Sequence, residues 1–140
     1  MSPFAELLYS IRTRQGISQS VLAKLTGYEQ TYISAIEIGK KGPPTPAFVE
    51  RLIVALDLSS EEQDRLRDAL DASQRKLVID GEMPSNVFWM FRELRHRVSN
   101  LIPEEIQLIR QVLALKETFH KACDEPNQRL KRRRKAEAPM

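Results

Sequence analysis

Between two glycines, Gly27 and Gly39, lies a run of small hydrogen-bonding side chains: Glu29, Gln30, Thr31, Ser34 and Ala35. On a helix begun near Gln30, positions 30, 31, 34 and 35 share a face, because residues three and four apart are neighbours. Such side chains suit the edges of base pairs. Glutamine pairs bidentately with adenine, and the methyl of Thr31 can pack on that of thymine. Glu29 suits a cytosine amino group and would otherwise repel phosphate. Lys40 and Lys41 follow directly, where cations either grip phosphates without reading sequence or simply solvate an exposed turn. A second block of chemistry lies in residues 129–135, with Arg129, Lys131, Arg132, Arg133, Arg134 and Lys135. It suits an electrostatic arm for phosphates, with Arg132, Arg133 and Arg134 as the candidate contacts, or else a solubilising tail.

Enzymatic and metal chemistry find no comparable support. His96 and His120 are far apart in sequence, and His120 with Cys123 at i, i+3 makes only half a ligand set. The 5 glycines fall at helix stops and turns, with no phosphate-cradling loop among them. No serine sits in a nucleophile elbow. The sequence therefore predicts no catalytic residue, no metal and no cofactor. Cys123 is the only cysteine, which excludes an internal disulfide. No run reaches the roughly 18 apolar residues of a membrane span. The first residues are amphipathic and carry Glu6, unlike a secretory signal. These features predict a soluble, cytoplasmic, nucleoid-associated protein without a membrane partner.

The net charge of +3 over 140 residues conceals an asymmetry. With the basic block and Glu137 set aside, the first 128 residues hold 16 basic and 18 acidic side chains, a net of −2. Basic character is thus confined to the last residues. A hydrophobic content of 41% is enough for a packed core.

The elements that must position the hydrogen-bonding run are short helices. Phe4–Arg14 has Phe4, Leu7, Leu8 and Ile11 on one face, with Ser2 as cap and Pro3 as first helical residue. Ser18 caps a second helix to about Leu25, and Gly27 turns the chain through a left-handed conformation. A third spans about Gln30–Ile38, with Ile33 and Ile36 inward and Gly39 as its stop. Thr45 and Pro46 open a fourth, whose inner face is Phe48, Leu52, Ile53 and Leu56. Ser59 or Ser60 opens a fifth, with Glu61 and Glu62 complementing its dipole. Its acidic side chains, Asp57 to Asp71, form a solvated face or else a partner surface.

The stretch from Ile17 to Leu58 resembles the helix-turn-helix of the phage repressor/Cro and XRE-type regulators. The resemblance is carried by Ser18-Gln19, Leu22-Ala23, Gly27, Tyr32-Ile33-Ser34, Ile36-Glu37 and Gly39-Lys40, followed by proline and an apolar helix. It covers about residues 4–70. It implies an all-α, five-helix DNA-binding domain acting on double-stranded DNA, without enzymatic activity. By the same resemblance, Gln30, Thr31, Ser34 and Ala35 are base-reading positions, whereas Glu29 is a base-reading candidate from its own chemistry. Gln19 touches a phosphate and often supports the recognition helix, and Lys40 matches a backbone contact. Arg12 and Glu37 match a structural ion pair. Ala35 is shorter than the polar residues often found there, and Ile38 stands where a polar or basic residue is common.

Residues 1–72 are thus predicted to form the DNA-binding domain, and 73–86, with Asp80-Gly81 and Pro84, a connector. Residues 87–124 are predicted to form helices. Val87, Phe91, Leu94, Val98 and Leu101 recur near the coiled-coil period, as do Leu108, Val112, Leu115 and Phe119. Each stretch is too short for an isolated zipper, so an antiparallel hairpin pairing with its twin is expected, the alternative being that these helices pack on the first domain. Its interface would use Val87, Phe88, Phe91, Leu94, Val98, Leu108, Val112 and Leu115. The run Val87-Phe88-Trp89-Met90-Phe91 is apolar all round, which suits a core plus dimer interface or an effector or partner pocket. Residues 125–140 complete the chain as a basic, flexible tail. The leading expectation is a dimeric regulator, a repressor, on a near-palindromic operator. The alternatives are an antitoxin-like protein that autoregulates its operon and holds a partner protein through its C-terminal helices, and a sequence-tolerant architectural protein.

Overall fold

Ser2 has extended backbone and its hydroxyl accepts from the Ala5 amide, while Pro3 supplies a preset φ; together they start α1 (Pro3–Arg14). Ser18 caps α2 (Gln19–Thr26) in the same way, accepting from the Val21 amide. The third helix, α3 (Gln30–Ile38), differs: its N-cap Glu29 makes no side-chain cap hydrogen bond. Thr45 caps α4 (Pro46–Ala55), and Ser59 rather than Ser60 caps α5 (Ser60–Ala72). The computed structural model describes residues 1–117, which are all-helical and contain no strand.

Two of the joints depend on glycine. Gly27 has φ 77° and Gly39 φ 90°, left-handed values that a Cβ makes costly, and each amide closes the helix before it. Gly27 is crowded as well, since an added Cβ would meet Arg51 Nη1 at 3.0 Å. The Arg51 guanidinium donates to the Thr26 carbonyl at 3.1 Å and lies over the Tyr28 ring, satisfying the C-terminal end of α2.

Two units are distinct, Met1–Val78 and a second that begins at Ile79. In the first, Phe4, Leu8 and Ile11 of α1 meet Leu22 of α2, Ile33 and Ile36 of α3, Phe48, Val49, Leu52 and Ile53 of α4, and Leu66 of α5. Fully burying one such side chain contributes about 1.5–3 kcal/mol. Tyr28 and Tyr32 stack at 5.1 Å, and each meets Phe48 edge-on, which fixes the turn and α3 to α4. Ser73, just past α5, is buried; its hydroxyl accepts from the Phe4 amide at 2.9 Å and ties the unit's ends together. The chain leaving α5 is therefore still part of this unit at Ser73, and Lys76–Asp80 forms no strand.

The second unit contains α6 (Ser85–Arg97), a single 3₁₀ turn (Val98–Asn100) and α7 (residues 103–117 as described). The α-helical spacing that would put Val98 and Leu101 in line with Val87, Phe91 and Leu94 ends at Arg97. Val98 begins the 3₁₀ turn and is 59% exposed, so the five positions are not one continuous stripe. No residue of α6 is buried.

Candidate nucleic-acid interface

The site rests on one buried carboxylate. Glu37 sits on the inner side of α3, where a charge requires partners. Arg12 of α1 donates from Nε to Glu37 Oε1 at 2.8 Å and from Nη2 to Oε2 at 3.2 Å. Gln19 of α2 adds a third hydrogen bond, Nε2 to Oε2 at 2.7 Å. The remaining reach of Arg12, from Nη1, goes to the Ile17 carbonyl in the loop between α1 and α2. Three helices and a loop are thus pinned through three side chains, of which Arg12 and Glu37 are nearly out of water, at 12% and 5% exposure. The pair is positioned to hold α3, not to touch a ligand.

Beside this anchor, α3 and its flanks form a shallow groove of about 480 Å³. Gln19, Gln30, Thr31, Ser34, Ala35, Ile38 and Lys40 line it. Gln30 and Thr31 stand exposed at the N-terminal end, while Ser34 and Ala35 are half-buried one turn on. Four of the five predicted base-reading residues therefore share one wall with two of the three predicted phosphate residues. Glu29 and Lys41 lie to the other side, around a hollow shared with Tyr28, Tyr32, Thr31 and Thr45. The Thr31 hydroxyl donates to Glu29 Oε2 at 3.3 Å, and so links the two sides. Ile38 is 65% exposed at the groove, an apolar surface among polar ones.

The loop after α3 has supports that the sequence did not advertise. Lys41 turns its amide back to the Ala35 carbonyl and lays its ammonium over Tyr32 at 4.9 Å. Arg75, beyond α5, donates from Nη2 to the Gly39 carbonyl at 2.8 Å and to the Lys41 carbonyl at 3.3 Å. Arg75 is 36 residues from Gly39, and no local pattern marks a residue that acts at such range. Ser20 was missed for the same reason; its hydroxyl donates to Gln30 Oε1 at 3.0 Å across the turn. Burial, and then the neighbouring Tyr28, raise the Tyr32 hydroxyl above its ordinary pKa of 10.0, so it is a neutral donor at physiological pH.

In the second unit, Val87, Phe91 and Leu94 are partly buried, whereas Phe88, Val98, Leu108, Val112 and Leu115 are exposed. Phe88, Trp89 and Phe91 surround a hollow of about 290 Å³ with Ile79, Arg92 and Arg95. Arg132, Arg133, Arg134, Phe119, His120 and Cys123 lie outside the described residues. No described helix is long and apolar enough to cross a membrane.

A family model described as a helix-turn-helix domain matches residues 3–74, just over half the chain and all five helices of the first unit. The chain belongs to the helix-turn-helix regulators of the repressor/Cro (XRE) type. Its first unit is accordingly a DNA-binding domain of transcriptional regulators, a non-enzymatic class. RghRB of Bacillus subtilis (strain 168), an uncharacterized HTH-type transcriptional regulator, is 36% identical over 61 residues. Those residues are 44% of this chain and 44% of that protein, so the chain spans under half the length of this relative. A chain of a solved SinR protein/SinI protein complex matches at 19% identity and a TM-score of 0.41. That match covers 82% of this chain and 98% of the other.

Proposed function

We propose that this helix-turn-helix protein is a sequence-specific repressor that occupies a near-palindromic operator as a dimer, with α3 in the major groove. The observation that carries the reading is the shared wall of Gln30, Thr31, Ser34 and Ala35, flanked by Gln19 and Lys40. Hydrogen-bonding side chains at a helix N-terminus with cations at the rim are what base readout plus phosphate positioning requires. Strong cations are few here, with Lys40 and Lys41 offset by Glu29. One domain alone then binds weakly, and a second half-site about one helical turn away supplies the deficit. The exposed apolar side chains of α6 and α7, among them Phe88 at 43%, Leu108 at 61% and Val112 at 60%, suit the dimer contact. Arg132, Arg133 and Arg134 add sequence-independent attraction to phosphates.

Footprinting on the DNA upstream of the protein's own gene tests this. A protected, near-symmetric site should appear with wild type and fade or relax with Gln30→Ala/Thr31→Ala, the fold being intact by circular dichroism. Unchanged protection by that variant would sink the assignment of α3. The same exposed faces of α6 and α7 support a second reading, in which they hold a different protein while the first unit autoregulates the operon. Size exclusion separates the two: a lone stable dimer supports the repressor, and a stoichiometric co-purifying protein supports the second reading.

A further inference from the structure

We propose that Ser20 sets base choice by fixing the orientation of the Gln30 amide, a role that rests on α3 being the reading helix. A glutamine amide is an acceptor at one end and a double donor at the other, and turning it over presents the opposite pattern. Bidentate pairing with adenine needs both ends in one order: Oε1 accepting from N6 and Nε2 donating to N7. Nothing within Gln30 itself enforces that order.

Ser20 does. It is the second residue of α2, and Gln30 is the first of α3, so the turn through Gly27 brings them together ten residues apart. The Ser20 hydroxyl donates to Gln30 Oε1 at 3.0 Å. A carbonyl oxygen has a second lone pair, so Oε1 still accepts from a base, and Nε2 keeps both hydrogens for the groove. The amide is thus held in one rotamer, with its polarity defined before DNA arrives, which removes part of the ordering cost on binding.

Gln19 would be the obvious support from its place at the start of α2. Its Nε2 is instead committed to Glu37 Oε2 at 2.7 Å, which turns that amide back towards the Arg12 pair. The two neighbours in α2 therefore divide the labour: Gln19 holds α3 to the scaffold, and Ser20 holds the reader on α3. Both Ser20 and Gln30 are exposed, so their bond adds little to folding and its effect falls on recognition.

The test is a panel of duplexes with each of the four bases at the position Gln30 contacts, the parent operator coming from selection on random DNA. Full-length wild type, Ser20→Ala, Ser20→Thr and Gln30→Ala are titrated against each duplex. Wild type should prefer adenine; Ser20→Ala should lose about three- to tenfold of that preference while melting and non-specific binding stay unchanged. Ser20→Thr, which keeps the hydroxyl, should restore it. Retained preference in Ser20→Ala, with preference lost in Gln30→Ala, overturns the role of Ser20 and leaves the reading helix standing. Preference unmoved by Gln30→Ala overturns both. Equal loss on all four duplexes with Ser20→Ala would make Ser20 a backbone contact and also overturns the inference.

Discussion

Replacing Glu37 with leucine tests whether the reading helix is held by a buried ion pair or only by its apolar neighbours. Glu37 accepts three hydrogen bonds, two from Arg12 and one from Gln19, at 5% side-chain exposure. The leucine fills similar space but leaves the Arg12 guanidinium, 12% exposed, with only the Ile17 carbonyl as a hydrogen-bond acceptor and the Tyr9 ring beneath it, and no countercharge. Breaking a buried pair by removing one member costs about 3–5 kcal/mol, mostly the uncompensated charge. In a unit of this size each kcal/mol shifts the melting temperature by about 4–8 °C, so a fall of at least about 12 °C is expected. Arg12→Met should cost a similar amount. The double variant Arg12→Met/Glu37→Leu strands no charge and should recover most of the loss. Urea denaturation of the four proteins, read as a double-mutant cycle, measures the coupling directly. If each single variant cost under about 1 kcal/mol, or the two losses simply added in the double, the pair would not be what holds α3. Operator binding by the double variant should weaken even where stability recovers, because Gln19 loses its anchor.

Arg75→Ala should release the Gly39–Lys41 loop and lower affinity to a similar extent on specific and random DNA, with base preference unchanged; a shifted preference in the four-base panel would contradict this. Gly27→Ala should destabilise the first unit by at least about 1–2 kcal/mol, since φ is 77° and the new Cβ meets Arg51 at 3.0 Å; an unchanged urea midpoint would refute it. The raised pKa of Tyr32 means that the unfolded chain loses this proton first. Its contribution is complete below pH 10.0 and falls as pH rises from there through the folded value, a loss that Tyr32→Phe should lessen in alkaline unfolding. Deleting residues 129–140 should weaken binding to all sequences and flatten its salt dependence; an unaltered slope would leave the tail no role on DNA.

The first unit was legible because its signals are local. Ser2-Pro3, Ser18, Thr45-Pro46 and Ser59 each declare a helix start within three residues, and Gly27 and Gly39 declare stops. The spacing of Phe4, Leu8, Ile11, Ile33, Ile36, Phe48 and Leu52 then dictates which faces meet. The order of those signals also carried the family. Beyond Ile79 the periodicity misled at Val98, because an α-helical repeat in sequence does not reveal where a 3₁₀ turn interrupts it.

By itself the sequence determined the five helices, the inward faces of α1, α3 and α4 and the identity of the side chains that α3 could offer to a groove. Only the tertiary structure decided how those side chains are held. Glu37 receives Arg12 and Gln19, Gln30 receives Ser20, and the loop at Lys40 receives Arg75 from beyond α5. Each of these bonds crosses between separate elements of the chain, at separations of 25, 18, 10 and 36 residues. Helical periodicity fixes neighbours within about four positions. Which hydroxyl or guanidinium reaches which acceptor across a turn depends on packing angles that the core alone sets.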